Sequence, residues 1–239
     1  MARPIFDALD LATAKTVLDV GAGTGAMLPY IESHNPDALI VGCDRAEGML
    51  RIARSEGWKT VAVADGQQLP IRSESVDVGL FIFVLFHFPE PVQALREIGR
   101  VLRPAGRAGI VVWGTDPGAP GASIWTEELN SEGAARDTRD PSVVQVGLMN
   151  TPEKLTELIE SSGLKVDRLW SEPFSHSFQL EELLSVQLGC GVASRRLPSL
   201  PAPARERCER KVRERLAKLA TAQLEYRPEV LFAVIRPPG

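Results

Sequence analysis

Only three cysteines occur in the chain, Cys43, Cys190 and Cys208, and no two of them form a C-x-x-C pair. That argues against a disulfide framework and against a thiolate zinc site. Histidine is equally scarce. His34, His87 and His176 lie far apart and suggest no metal cluster. Long apolar runs are missing too. The longest, VGLFIFVLF at 78–86, falls well short of the ~20 residues that span a bilayer. The first residues, MARPIFDALD, are too polar and too short for a secretory signal, so a cytoplasmic location is expected. There is no excess of positive charge. Lys and Arg total 27 against 31 Asp and Glu, a net charge of −4, so the whole molecule has no nucleic-acid footprint.

What is present is ordinary for a globular chain: 44% hydrophobic and 24% charged residues in 239. That length allows one domain, 1–239, with a sizeable core. The first half alternates two kinds of segment. Runs rich in β-branched residues lie at 16–20 (TVLDV), 38–43 (ALIVGC), 60–64 (TVAVA), 76–84 (VDVGLFIFV) and 107–114 (RAGIVVWG). Helix-like stretches fall between them at 25–34, 46–56 and 91–102. Near-continuous apolar strands alternating with helices predict an α/β fold, a Rossmann-like parallel sheet with helices on both faces. Right-handed crossovers then gather the strand C-termini on one edge, where open α/β sheets bind ligands.

The second half is less regular. GTDPGAPGAS at 114–123 reads as a Gly/Pro loop. Thr151-Pro152 is a helix start and Gly163 a stop. Residues 164–172 and 229–236 read as strands, the latter as a final antiparallel one, which brings the sheet to seven strands. Residues 180–195 and 204–223 read as helices separated by LPSLPAP. The expected layout is a core over 16–114 with cap insertions at 115–150 and 178–225.

The sharpest local feature is VLDVGAGTG at 17–25. Gly21, Gly23 and Gly25 let the backbone turn tightly and approach a ligand closely. The turn also fits a dinucleotide fingerprint, in which a pyrophosphate sits on a helix N-terminus. Asp19 disfavours that reading, because a carboxylate beside the turn repels pyrophosphate and suits a cation.

Here the chain resembles the class I methyltransferases that use S-adenosylmethionine, and more narrowly those related to the ubiquinone/menaquinone C-methyltransferases. VLDVGAGTG is similar to that family's first motif and VGCDRAEGMLRIAR to its second. ADGQQLPIRSESVD resembles the third, and VLFHFPEPVQALREIGRVLRPAGRAGI the fourth and fifth. The likeness is strong over 16–114 and extends beyond it only in layout. It departs at Ala105, where the family has Gly in a Pro-Gly-Gly turn. It departs again in having fifteen residues before Thr16, where relatives carry further helices. A short N-terminal cap would make 178–225 the main lid over the acceptor.

The resemblance implies S-adenosyl-L-methionine as cofactor and assigns roles. Asp44, with Arg45 beside it, would accept the ribose hydroxyls. Met49 would pack on the adenine, Asp65 would accept its amino group, and the backbone at Gly66 and Gln67 would read the ring edge. Asp19 and the backbone near Gly21 and Phe81 would hold the methionine ammonium. Ala22, Gly23, Thr24 and Gly25 would line the methionine moiety. A small-molecule acceptor is expected, O-, N- or C-methylated, with no membrane or nucleic-acid partner and no metal. A non-methylating enzyme that keeps the cofactor, such as a cyclase, is the alternative, and a non-catalytic binding protein a further one.

Transfer from an activated donor needs mainly alignment and exclusion of water. A base is needed only for a hydroxyl or acidic-carbon acceptor. His87 is the candidate, just past the fourth strand. Its neighbours Phe86, Phe88 and Pro89 favour a packed, structural histidine instead. Residues 195–218 hold nine Arg or Lys against three Glu. They read as an amphipathic cap helix, with Cys208, Val212, Leu216 and Leu219 as its apolar stripe and a solvated basic face.

Overall fold

The computed structural model describes residues 1–116, 118–137 and 145–238. Pro117 of the Gly/Pro loop and residues 138–144 of the first expected insertion lie outside them. The chain divides into two compact units. One comprises 1–115, 141–172 and 229–239, and the other 116–140 and 173–228.

The first unit is built on a seven-stranded sheet. Its strands are β1 (Thr16–Val20), β2 (Leu39–Asp44), β3 (Val61–Val63), β4 (Val76–Ile82), β5 (Leu102–Trp113), β6 (Lys165–Pro173) and β9 (Glu229–Arg236). Their spatial order is 3-2-1-4-5-9-6. β1 through β5 pair in parallel, and β9 runs antiparallel to β5. The order reverses at β1, between β2 and β4, and this is the switch point at which such sheets open a crevice. β1, β4, β5 and β9 are apolar on both faces because helices or further chain cover both.

Three helices connect these strands: α2 (Leu28–His34), α3 (Glu47–Ser55) and α4 (Pro91–Val101). Pro91 opens α4, where a missing N–H costs nothing. Ala94, Leu95, Ile98 and Val101 bury its inner face. On the other side Glu97 accepts the Leu69 N–H at 2.8 Å, while Arg100 donates to the carbonyls of Leu69 and Ile71. The Arg100 guanidinium holds the Glu97 carboxyl below the usual range. This clamp fixes the chain between the end of β3 and the start of β4. The helix α6 (Pro152–Ser161) begins as its sequence predicts. Thr151 accepts the Lys154 N–H at 3.3 Å, Pro152 follows, and Gly163 leaves the helix at φ +87°.

Several elements add to the expected layout or differ from it. The residues before β1 form a helix, α1 (Arg3–Ala8). Ile5 and Leu9 pack against the sheet where Gly109 of β5 leaves room, since a Cβ there would stand 2.6 Å from Ile5. α2 starts at Leu28 rather than residue 25, because Gly21, Gly23 and Gly25 all adopt positive φ and prolong the turn. β4 stops at Ile82 because Phe83 turns the chain at φ +52°. β5 begins at Leu102, so Pro104-Ala105-Gly106 belongs to the strand rather than preceding it.

The second unit has its own core. Helices α5 (Ala122–Ser131), α7 (Leu180–Gly189), α8 (Val192–Arg196) and α9 (Ala202–Leu216) bury Trp125, Leu129, Leu183, Cys208, Val212 and Leu216 together. The antiparallel pair of β7 (His176–Ser177) and β8 (Glu225–Tyr226) belongs to the same unit. The helix expected over 180–195 breaks at Cys190-Gly191, where Gly191 takes φ +95°. The basic face of α9 is not merely solvated. Arg207 and Lys211 bind Glu132, Arg215 binds Glu127 and Glu128, and Arg213 binds Glu181.

Candidate functional site

At the C-terminal edge of the first unit's sheet lies a cleft of about 180 Å³. Its walls come from the ends of neighbouring strands. Val20 and Gly21 follow β1, Asp44, Arg45 and Ala46 follow β2, and Ala64 and Gly66 follow β3. Val84, His87 and Phe88 close the side beyond β4.

Backbone hydrogen bonds fix this edge. The N–H groups of Gly21 and Ala22 both donate to the Cys43 carbonyl, at 2.7 and 2.9 Å. Asp44 accepts the Gly23 N–H on one carboxylate oxygen at 2.9 Å and the Ala46 N–H on the other at 2.8 Å. One acid thus binds the glycine turn to the start of α3. Each of its oxygens keeps a free lone pair for a ligand. After β3, Asp65 accepts the Gln67 N–H at 2.9 Å, and Gln67 in turn accepts the Glu90 N–H at 2.8 Å. That chain ties the Asp65 loop to the start of α4.

The glycines divide by what surrounds them. A Cβ on Gly21 would stand 2.2 Å from Val84, and one on Gly66 would stand 2.7 Å from Phe88. Both keep the turn and the cleft wall in van der Waals contact. A Cβ on Gly23 would meet no protein atom within 4 Å, although its φ is +57°. Gly23 therefore presents bare backbone to open space.

Asp19 lies deeper than its motif suggests. It is 2% exposed, held in the middle of the sheet between Gly42 of β2 and Leu80 of β4. Its Oδ2 has no hydrogen-bond partner. Burial, reinforced by the charge of Asp44, pushes its pKa up to about 7. A buried acid with an unpartnered oxygen is costly, and a cation nearby would relieve that cost.

Of the expected site residues, Gly21, Asp44, Arg45, Gly66 and His87 line the cleft. Asp19 lies beneath it, and Ala22, Gly23, Thr24 and Gly25 form the turn beside it. Asp65 and Gln67 stand on the loop that carries Gly66. Met49 is 47% exposed on α3. The side chain of Phe81 is wholly buried, edge-on to Phe88 at 6.0 Å, so only its backbone is placed toward the ligand edge. His87 is corrected: it is exposed on the cleft wall, with its ring 4.6 Å from that of Phe86, and is not packed in the core. The one-turn helix Leu85–His87 rotates it outward while Leu85 and Phe86 turn inward. Val84 and Phe88 escape sequence reasoning, since an apolar run past a strand end gives no sign of which members face a ligand.

A second cleft of about 190 Å³ lies at the other edge of the sheet, near Asp10, Asp77 and Arg103. Asp77 already accepts the N–H groups of Lys15 and Thr16 and a bond from Arg103. Its carboxylate is committed to the fold.

Residues 18–110 match the family model of the methyltransferase domain. The chain is 31% identical over 129 residues to a demethylmenaquinone methyltransferase of Streptomyces griseus, covering 53% of this chain and 55% of that one. It is 37% identical over 106 residues to a mouse tRNA (carboxymethyluridine(34)-5-O)-methyltransferase, covering 43% of this chain and 15% of that one. The chain thus spans about half the length of the first of these relatives and much less of the second. Among solved structures it superposes on an S-adenosylmethionine-dependent methyltransferase from Aquifex aeolicus with a TM-score of 0.52, at 22% identity over 70% of this chain and 81% of that one. It also superposes on the cyclase SpnF with a TM-score of 0.60, at 21% identity over 99% of this chain and 80% of that one. These two likenesses bear on the fold.

The sheet order is that of the methyltransferase fold, and residues 18–110, which hold the glycine turn and Asp44 of the cleft, match the methyltransferase domain.

Proposed function

We propose that this chain transfers a methyl group from S-adenosylmethionine to a small-molecule acceptor. The observation that carries the reading is Asp44, a carboxylate pinned by two backbone N–H groups on the wall of the cleft. The residues present fit the cofactor. Asp44 offers two fixed acceptors for a diol. Asp65 suits an amine at the edge of a ring. The orphaned oxygen of Asp19 suits the field of an ammonium, and the open face of Gly23 leaves room for close approach. Asp19, beside the turn, disfavours a pyrophosphate there and hence NAD.

When bound, the cofactor supplies a methyl group already activated by its sulfonium charge. The chain's task is then to orient the acceptor, exclude water and, for a hydroxyl or acidic carbon, take a proton. His87 is the group proposed for that proton, because its imidazole stands on the cleft wall.

A small molecule is favoured over nucleic acid by the fate of the basic run. Arg207, Lys211, Arg213 and Arg215 are engaged with Glu127, Glu128, Glu132 and Glu181 instead of forming an open basic surface. A cytoplasmic location belongs to the same proposal. Among the described residues, no helix is long and apolar enough to cross a membrane.

Calorimetry against S-adenosylmethionine, S-adenosylhomocysteine and NAD tests the cofactor. Binding of the first two and not the third is expected, and binding of NAD alone overturns the reading. Incubation of cell extract with the chain and a methyl-labelled cofactor should place the label on a metabolite.

A further inference from the structure

Asp65 stands on the turn that follows β3, which closes through the Gln68 N–H and the Asp65 carbonyl at 2.9 Å. Its carboxylate is exposed, and among the described residues no cation pairs with it. Gln67 supplies every bond that orients it. The Gln67 N–H donates to Oδ1 at 2.9 Å, and the Gln67 side-chain amide donates to both carboxylate oxygens at 3.4 Å. The other end of that amide is committed too. Its Oε1 accepts the Glu90 N–H at 2.8 Å. A backbone N–H can only donate, so this bond turns the oxygen toward Glu90 and the NH₂ toward Asp65.

The brace rests on a rigid element. Glu90 immediately precedes α4, and the side chain of Gln93 in that helix donates to the Gln67 carbonyl at 3.4 Å. Two residues beyond Gln67, the Leu69 N–H is held by Glu97 of the same helix. Gln67 itself is half-buried, whereas Gln68 beside it is exposed. A glutamine that merely tied the turn to α4 needs only its oxygen. Here the donor half of the amide is spent on a surface carboxylate, which water would otherwise solvate in any rotamer.

We infer that Gln67 is a positioning residue: its side-chain amide, braced on the Glu90 N–H, fixes the direction of the Asp65 carboxylate and thereby makes the site select a 6-amino purine over its 6-oxo counterpart. This role rests on the S-adenosylmethionine reading, in which Asp65 meets an amine at the edge of the ring. It adds the residue through which that meeting becomes selective. A carboxylate has no proton to offer. It bonds a ring amine but sets acceptor against acceptor at a ring carbonyl. The penalty persists only while the carboxylate is kept from swinging into water, and a second hydrogen-bonded shell is what locks such a rotamer.

The test compares S-adenosylhomocysteine with S-inosylhomocysteine, whose ring carries a carbonyl in place of the amine, by calorimetry on the full chain. The wild type should prefer the first by about tenfold. Gln67→Glu keeps the acceptor for Glu90 and loses the donor to Asp65, whereas Gln67→Met loses both. Each should cut the preference to about twofold or less, and only Gln67→Met should lower the melting temperature. Gln68→Met, the same change one residue away, should alter neither. Asp65→Asn can donate to the carbonyl, so it should abolish or invert the preference, and adding Gln67→Met to it should change the preference no further. If Asp65→Asn abolishes the preference but both Gln67 variants keep it, the positioning role is overturned. Equal loss of affinity for the two ligands in the Gln67 variants, the mark of a purely structural strut, overturns it too. A wild type that binds neither ligand, or a preference that Asp65→Asn leaves intact, fails the cofactor reading at Asp65 and takes the role of Gln67 with it.

Discussion

The carboxylate of Asp44 accepts the Gly23 N–H at 2.9 Å, so the acid that ends β2 also sets the turn that follows β1. It accepts the Ala46 N–H as well. Removing this side chain should therefore have two effects. Asp44→Ala should weaken cofactor binding by ~1.5–3 kcal/mol for each charged hydrogen bond lost, less what water restores. It should also lower stability by about 1–2 kcal/mol, because two backbone donors lose their acceptor. Calorimetry and denaturant melts separate the two. Unchanged cofactor affinity would refute the assignment.

Asp19 predicts a pH dependence. Its pKa is raised from 3.8 to about 7 by burial and then by Asp44. Between those values the folded chain holds a proton that the unfolded chain has released. The contribution of Asp19 to stability is therefore fully present below pH 3.8, falls as pH rises toward 7, and is level above it. A cationic ligand favours the ionised acid, so cofactor affinity should rise with pH and flatten above about 7. The slope should approach tenfold per pH unit in the acidic limb. Asp19→Asn should remove the slope. Affinities measured from acid to alkaline pH check it, and a flat profile in the wild type would be the contrary result.

The two glycines of the turn should respond differently to the same change. Gly21→Ala places a Cβ 2.2 Å from Val84 at φ +77°, and should destabilise by about 1–3 kcal/mol. Val84→Ala should recover part of that loss, leaving the Val84 Cβ at 2.7 Å and the backbone strain. Gly23→Ala meets no protein atom, so only the positive φ, about 1 kcal/mol, should register in a melt. Its main effect should be on the cofactor. Equal melting losses with unaltered binding would show that Gly23 does not face a ligand.

His87→Ala should leave stability within about 0.5 kcal/mol, since the residue is exposed. If the imidazole accepts the acceptor's proton, turnover should fall about a hundredfold with cofactor affinity intact. Single-turnover rates across pH would reveal it, because the variant should lose a limb of the profile. Full turnover would remove His87 from the chemistry.

Much of the sheet was legible because β1, β2 and β4 are near-continuous apolar runs, and Asp44 stood out as an acid between a strand and an amphipathic helix. Other features depend on contacts that local sequence does not carry. Asp19 looked like a strand-end acid, but its place between β2 and β4 in the assembled sheet buries it. The charge run of α9 looked solvated because its partners on α5 stand as many as 88 positions away. Phe83 carries no sign of its positive φ, since that conformation is imposed by the bond to Val111 and the ring of Trp113. α1 is a short helix fixed by the hollow over Gly109, not by a periodic pattern of its own.

β9 lies between β5 and β6 in the sheet, yet it is made long after both, with β6 ending at Pro173 and β9 beginning at Glu229. While the chain emerges from the ribosome, β5 and β6 cannot pair with each other across the missing strand. Each carries an open edge until 229–236 arrives. Closing the sheet is then a long-range event, slow by the entropy of the intervening loop. The nascent chain should be a client for chaperones over that interval, and stalled or truncated translation products should aggregate through β5, whose interior residues Ile110, Val111 and Val112 are fully buried once β9 is in place.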